Sequence, residues 1–123
     1  MYTREVLQQF QNTRHVGELT DASAYIRVHN PACGDLLLLA VKIVDGCVVD
    51  AKFRARGCVA TIASASQLVD MILGQRVEQA QTLSAEMLAK ALGGLPPASQ
   101  HATHLAIEAL GEALKLVSLR PGG

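Results

Sequence analysis

Residues 35–58 read DLLLLAVKIVDGCVVDAKFRARGC, which predicts two β-strands joined by a tight turn near Asp45-Gly46. A two-residue turn there would set apolar Val41 opposite charged Asp50, a poor cross-strand pair. A three-residue loop over 44–46 makes the two apolar faces coincide instead, because Gly46 can supply the left-handed bulge residue. We therefore expect the register that pairs Ile43 with Cys47, Val41 with Val49, Leu39 with Ala51 and Leu37 with Phe53.

The expected register also determines what lies at the open end of this hairpin. Extended outward, it sets Asp35 opposite Ala55 and Cys33 opposite Gly57, so that Cys33 lies beside Cys58. Asp35 projects to the same side as Cys33, since side chains two residues apart share one face of an extended strand. The sequence thus predicts that two thiols and a carboxylate meet at one end of a sheet.

Other elements flank the hairpin. Alternating apolar residues over 22–28 predict one more strand, which precedes the other two. Cys58 stands at the beginning of a predicted helix, where unpaired backbone amides favour a negatively charged sulfur. Apolar residues at helical spacing predict four helices, over 3–11, 58–73, 84–92 and 99–119.

Composition restricts the classes of protein to which the chain can belong. Its 123 residues fit one domain, residues 1–123, with a core built from aliphatic side chains. Eleven basic residues balance eleven acidic ones without a basic run, so we expect no nucleic-acid partner. No apolar run is long enough for a membrane span and the polar N-terminus is unlike a signal peptide, so we expect a cytoplasmic protein without a membrane partner. Its three cysteines are then expected to be reduced.

Four residues could form a site of soft and hard ligands: Cys33, Asp35, Cys58 and His101. Two thiolates, an imidazole and a carboxylate are an acceptable tetrahedral set for zinc, or a ligand shell for an iron-sulfur cluster. The spacing contains no CxxC pair, so the residues alone leave a second interpretation open. In that interpretation Cys33 and Cys58 are small buried apolar residues at the edge of the sheet.

The sequence around these residues resembles that of the IscU/NifU N-domain family of iron-sulfur cluster assembly scaffolds. The similarity covers nearly the whole chain, in the right order. The matching pieces are Pro31-Ala32-Cys33-Gly34-Asp35, Asp50-Ala51-Lys52-Phe53, Gly57-Cys58, Ile62-Ala63-Ser64-Ala65-Ser66 and Leu95-Pro96-Pro97 followed by His101.

The resemblance implies a fold and a function. The fold is α+β, with a three-stranded antiparallel sheet, helices packed on it and a long C-terminal helix. The function is a scaffold, not an enzyme, that binds a labile iron-sulfur cluster (2Fe-2S) or zinc and works with a cysteine desulfurase, an iron donor and a chaperone pair. By position, Cys33 and Cys58 match the first two cysteine ligands, Asp35 the aspartate that tunes cluster lability, and His101 the histidine before the third cysteine.

The sequence departs from the family pattern at that third cysteine, where it has Ala102. A methyl group neither ligates metal nor accepts sulfur, which makes a divergent paralogue an alternative. Such a paralogue would keep the fold and the partner-docking surface but assemble no cluster. The segment 95–99 keeps the prolines but lacks the valine and lysine of the chaperone-recognised motif, which argues against that partner. A third hypothesis is a thiol enzyme that uses Cys58 with His101. The sequence leaves open whether the protein forms a homo-oligomer.

Two other residues, Cys47 and His104, are of types that can ligate a metal. Cys47 lies at the turn end of the hairpin, and its parity in the expected register points it inward, so we interpret it as a buried core cysteine. His104 follows His101 by one helical turn, a spacing at which two histidines can share a metal. It lies away from the apolar stripe of its helix, however, and a solvated histidine is the prediction.

Overall fold

Three antiparallel strands form the sheet, in the order β1 (Ala24–Asn30), β2 (Asp35–Val44) and β3 (Cys47–Arg56). The computed structural model describes residues 1–30 and 34–118. The helices are α1 (Arg4–Gln11), α2 (Val59–Ile72), α3 (Val77–Ala80), α4 (Ala85–Ala91) and α5 (His101–Ser118), with a 3₁₀ turn at Pro97–Ser99. The predicted α+β class, the three-stranded sheet and the long C-terminal helix are confirmed. The single turn of α3 was not predicted.

The register of the β2–β3 hairpin differs from the predicted one. Val44 pairs with Cys47 across a two-residue turn, in which Asp45 (φ 52°) and Gly46 (φ 77°) both have positive φ. Such a turn matches the twist of antiparallel strands. The register then shifts at Lys42/Ile43, and beyond the shift the pairs include Lys42 with Asp50, Val41 with Ala51, Leu39 with Phe53 and Leu37 with Ala55.

Val49 is the extra residue of a β-bulge, since Ile43 pairs with Val48 and the next β2 residue pairs with Asp50. The bulge reverses the inward parity of β3 at this point, so that Val48 is buried and Val49 is 51% exposed. The predicted three-residue loop was therefore wrong. The apolar faces coincide through the bulge rather than through a longer turn.

Two predicted positions change with the register. Cys47 precedes the bulge and is partly exposed, so its interpretation as a buried core cysteine was wrong. Continued past the last pair, Leu36 with Arg56, the observed register brings Asp35 to Gly57 instead of Ala55. Cys33, predicted opposite Gly57, lies outside the described residues.

The main core lies between one face of the sheet and the helices α2 and α5. Its largest members from the sheet are Leu37, Leu39 and Phe53, each at most 1% exposed. Burial of side chains of this size stabilises the fold by about 1.5–3 kcal/mol each. The helices contribute many alanines, which allow close approach to the sheet: Ala65, Ala106, Ala109 and Ala113.

The N-terminal helix α1 packs on α2, a contact that the sequence did not predict. Val6 forms a second small core with Ala63 and Leu92. Next to it, the amide nitrogen of Gln9 donates to Gln67 (3.0 Å) and Asp70 (2.7 Å) of α2. The helix is thus fixed by apolar contact and by hydrogen bonds from one glutamine.

The segment 13–17 connects α1 to the edge of the sheet. The carbonyl of His15 accepts the amide of Phe53 (2.9 Å), and the amide of Gly17 donates to the carbonyl of Phe53 (2.9 Å). The His15 side chain is buried, and its Nε2 lies 2.6 Å from Asp70 Oδ1. This partly buried pair joins β3 to α2.

Burial alone would raise the pKa of Asp70, but the surrounding groups have the larger combined effect. Hydrogen bonds from Gln9 and His15, together with the charges of His15 and Arg14, hold the pKa of this carboxyl below its ordinary value of 3.8.

Among the described residues, no helix has the length and apolarity that crossing a membrane requires.

Candidate metal centre

Three chain segments bring polar side chains together at one end of the sheet. Asp35 is the first residue of β2, Cys58 is the N-cap of α2, and His101 is the first residue of α5. Asp35 and Cys58 approach each other because β2 begins where β3 ends, and α2 follows β3 after two residues. His101 reaches the same place because α5 packs on β1, β2 and α2.

The donor atoms of these three residues form a compact group. One ligand atom from each of Asp35, Cys58 and His101 lies within 4.8 Å of the other two. His101 Nε2 is 3.0 Å from Asp35 Oδ2. Asp35 is only 3% exposed, whereas Cys58 and His101 are partly exposed. A molecule in solution could therefore reach the sulfur and the imidazole while the carboxylate stays covered.

Thr61 is a further member of the group that sequence reasoning missed. Its hydroxyl donates to Asp35 Oδ2 (2.9 Å) and lies 3.4 Å from Cys58 Sγ. Thr61 is buried at 1% exposure and follows Cys58 by three residues in the first turn of α2. That spacing places two side chains on one face of a helix, which is the signal that could have found it.

Gly57 has no room for a side chain beside this group. A Cβ atom there would lie 2.5 Å from Asp35 Oδ1 and 3.1 Å from Thr61 Oγ1. The carboxylate of Asp35 is thus enclosed on both sides. One oxygen accepts hydrogen bonds from Thr61 and His101, and the other lies against the backbone of Gly57.

The donor set fits a tetrahedral ion. Nitrogen and oxygen ligands at about 2.0–2.1 Å from one zinc ion are separated by roughly 3.3 Å. The 3.0 Å between His101 Nε2 and Asp35 Oδ2 is close to this value, so a metal could take the place of the shared proton with a small movement. Cys58 would add a soft ligand, and three protein ligands leave a fourth position for a further thiolate, for sulfide or for water.

The other candidate ligands do not belong to this group. Cys47 lies at the opposite end of the hairpin, beside the turn, where it forms an isolated bridge with Arg76. His104 is exposed on α5, as predicted. Within residues 1–30 and 34–118, Asp35, Cys58 and His101 are the one such group of three or more histidine, cysteine or acidic residues. Ala102, the neighbour of His101, is buried and offers no donor atom.

Comparison with known proteins identifies the family. Residues 1–121 match the model of the NifU-like N terminal domain. The chain belongs to the NifU-like N-terminal domain family. Relatives in this family include the iron-sulfur cluster assembly scaffold protein IscU 1 of Archaeoglobus fulgidus, which is 40% identical over 93% of this chain and 74% of its own length. The corresponding IscU of Aquifex aeolicus is 37% identical over 98% of this chain and 78% of its own length.

A solved structure of low sequence identity has the same fold. The putative iron-sulfur cluster assembly scaffold protein for the SUF system of Fervidobacterium islandicum superposes with a TM-score of 0.79 at 19% identity. The match covers 92% of this chain and 96% of that protein. At this identity the likeness establishes the NifU-like fold alone.

Proposed function

We propose that this NifU-like chain is a scaffold for iron-sulfur cluster assembly, which holds a labile 2Fe-2S cluster or a zinc ion through Asp35, Cys58 and His101. Cys33 supplies the fourth ligand in this proposal, as the sequence resemblance implies. The observation that carries the proposal is the convergence of three donor atoms within 4.8 Å at one end of the sheet. The scaffold names of relatives at 37–40% identity support the same function.

The exposure of the ligands favours transfer over permanent storage. Cys58 and His101 are partly exposed, so a partner protein can approach the sulfur and the imidazole directly. The carboxylate of Asp35 is a harder ligand than a thiolate and is the weaker donor to iron in a cluster. A centre with a carboxylate among its ligands is therefore suited to release its contents.

A cysteine desulfurase is the partner that we propose as the sulfur source, in keeping with the resemblance. Ala102 has no thiol that could accept sulfur beside His101, so in this proposal the sulfur is received by Cys58 or Cys33. The protein itself acts as the acceptor and carrier of the cluster, which is its cargo, and not as an enzyme.

Anaerobic reconstitution with ferrous iron and sulfide tests this function. We expect the wild-type protein to gain visible absorbance with iron and sulfide in equal amounts, and Cys58→Ala to lose most of both. Cys47→Ala is the matched control, since it removes a thiol at the opposite end of the hairpin, and it should retain the wild-type level. Equal iron and colour in wild type and Cys58→Ala would refute the cluster function, while zinc in the purified protein would identify the alternative metal.

One observation favours a second candidate function, a paralogue that keeps the fold and docks on the desulfurase without assembling a cluster. Ala102 is buried and contributes no ligand next to His101. Stable binding of a desulfurase, combined with no iron, sulfide or zinc after reconstitution, would select this function. Retention of iron and sulfide would exclude it.

A further inference from the structure

The hydroxyl of Thr61 connects two of the candidate ligands. It lies 2.9 Å from Asp35 Oδ2 and 3.4 Å from Cys58 Sγ. Thr61 is 1% exposed, and a buried hydroxyl must find its hydrogen-bond partners within the protein. Its hydrogen bond to Asp35 joins α2 to β2, 26 residues away in the chain.

The chemistry of the three groups fixes the direction of these hydrogen bonds. An ionised carboxylate only accepts, so the single proton of the Thr61 hydroxyl is donated to Asp35. The Thr61 oxygen then presents lone pairs towards Cys58, whose thiol can donate to it. Thr61 therefore orients the carboxylate directly and touches the sulfur as well.

The surroundings leave the carboxylate little freedom once this hydrogen bond is made. His101 donates to the same oxygen of Asp35, and the backbone of Gly57 lies close against the other oxygen. Thr61 itself is held in the first turn of a helix, where a β-branched side chain has few rotamers. The Thr61 hydroxyl, itself held in place, thus restricts the orientation of the Asp35 carboxylate.

We propose that Thr61 is a positioning residue of the metal centre, which acts by holding the carboxylate of Asp35 in the orientation that binds metal together with Cys58 and His101. The inference rests on the proposed function of the site. Groups that hydrogen-bond to metal ligands orient those ligands, and their removal typically weakens metal affinity by about 10–100-fold.

Titration with Co²⁺, followed by its visible absorption, tests the role of Thr61. Thr61→Val keeps the shape of the side chain and removes the hydroxyl, so we expect the dissociation constant to rise by about 10–100-fold. Thr61→Ser keeps the hydroxyl, and its constant should stay within about threefold of wild type, since it preserves that outer-shell hydrogen bond. Thr61→Ala repeats the measurement should the valine variant fail to fold, and thermal unfolding checks each variant.

A double-mutant cycle with Asp35→Ala separates positioning from a merely structural role. If Thr61 acts through Asp35, Thr61→Val should change the affinity little when Asp35 is already alanine. A loss of the same size in both backgrounds would overturn the proposal, as would wild-type affinity in a folded Thr61→Val protein. A wild-type protein that binds neither Co²⁺, zinc nor iron would instead overturn the proposed function, and this inference with it.

Discussion

At Asp35, a carboxylate accepts two hydrogen bonds on one oxygen while a glycine backbone lies against the other. A buried acidic group is tolerated only where such partners replace the lost water. Each partner here comes from a different part of the chain, so the orientation of the carboxylate depends on the correct packing of β2, α2 and α5. Small changes at this residue should affect metal binding and folding together.

Replacement of Gly57 by alanine is expected to destabilise the protein and to weaken metal binding. The new Cβ would lie 2.5 Å from Asp35 Oδ1, which forces the carboxylate to move. Overpacking of this kind costs about 1–3 kcal/mol in the free energy of unfolding. Chemical denaturation and Co²⁺ titration measure the two effects.

Gly74→Ala is the matched control for Gly57→Ala. Gly74 also has a positive φ (84°) and lies at the opposite end of the hairpin, where its amide donates to the carbonyl of Val48, and a Cβ there meets no atom of residues 1–30 and 34–118 within 4 Å. The substitution should cost about 1 kcal/mol for backbone strain alone and leave Co²⁺ affinity close to wild type. Equal losses of affinity in both variants would contradict a steric effect on Asp35.

Introduction of a cysteine at position 102 should increase the iron and sulfide that the protein retains. Ala102→Cys adds a third thiolate beside His101, at the position where the family resemblance expects one. Because Ala102 is buried, the larger side chain also costs about 1–3 kcal/mol of stability.

Ala106→Cys makes the same chemical change at a buried residue one turn further along α5. It should lower stability similarly without raising the iron content. Iron and sulfide per chain, measured after reconstitution, distinguish the two variants. If Ala102→Cys gains no more iron than Ala106→Cys, position 102 does not face the centre.

The β2–β3 hairpin combines a tight turn with a bulge. Asp45-Gly46 is a strong local signal for a two-residue turn, because both residues accept the positive φ that such a turn needs. The turn alone would misalign the apolar faces, and the extra residue Val49 restores their alignment. Two local features together produce a register that neither explains alone.

Replacement of Gly46 by alanine should lower the free energy of unfolding by about 1 kcal/mol or more. Gly46 has φ 77°, and a Cβ there would lie 3.2 Å from Nη2 of Arg76. The matched control is Gly111→Ala on α5, where a Cβ meets no atom of the described residues within 4 Å.

The control should have the opposite sign. Gly111 lies on an exposed helix surface, so alanine is expected to stabilise the protein by about 0.5–1 kcal/mol through helix propensity. Urea unfolding measures both changes on one scale. Destabilisation by both variants would contradict the assignment of the Gly46 effect to its backbone conformation.

Much of the fold followed from hydrophobic periodicity, and the failures have identifiable causes. The strands and the longer helices lie within a few residues of their predicted bounds, because each carries its own repeat of apolar residues. The hairpin register failed because a bulge leaves no clear mark in the sequence. The predicted burial of Cys47 was wrong for the same reason.

The candidate site was predicted in part for similar reasons. Asp35, Cys58 and His101 could be singled out because their residue types are metal ligands and their surroundings match a family motif. Thr61 and the His15–Asp70 pair were missed, since their importance arises from hydrogen bonds across 26 and 55 residues of chain. Such contacts depend on the packing of whole elements, which no local pattern specifies.

Across the protein as a whole, the Asp70 carboxylate joins three parts of the chain. It accepts hydrogen bonds from Gln9 of α1 and from His15, whose backbone is bonded to β3. The His15–Asp70 pair lies between α1 and the edge of the sheet, because its partners are Gln9 of α1 and Phe53 of β3. Its loss should therefore affect global stability.

Asp70→Asn is expected to lower the free energy of unfolding by about 1–3 kcal/mol near neutral pH, because the partly buried donors of Gln9 and His15 lose a charged acceptor. The pKa of Asp70 is held below its ordinary value of 3.8, so the carboxylate form stabilises the fold. That contribution is complete above the ordinary value and is lost as the pH falls through the lowered pKa. The difference between wild type and variant should accordingly shrink in acid, which urea unfolding at a series of pH values can follow.

Asp21→Asn is the control for this pH dependence. Its hydrogen bond with Lys42, and the charge of that lysine, also lower the pKa of Asp21, but the pair lies at the surface, with the Asp21 side chain 63% exposed. Exposed ion pairs contribute little to stability, so no measurable change is expected at any pH. A pH-independent loss in Asp70→Asn would contradict a role for the carboxylate charge.

The outer edge of β3 is covered at two points along its length. Phe53 exchanges hydrogen bonds with the backbone of His15 and Gly17, and Val48 does so with Gly74 and Gln75. Unpaired strand edges are templates on which other chains add strands and aggregate, and proteins protect them with short covering segments. A strand laid along the full length of β3 would therefore collide with these two covering segments, so the edge is closed to intermolecular strand addition along its whole length.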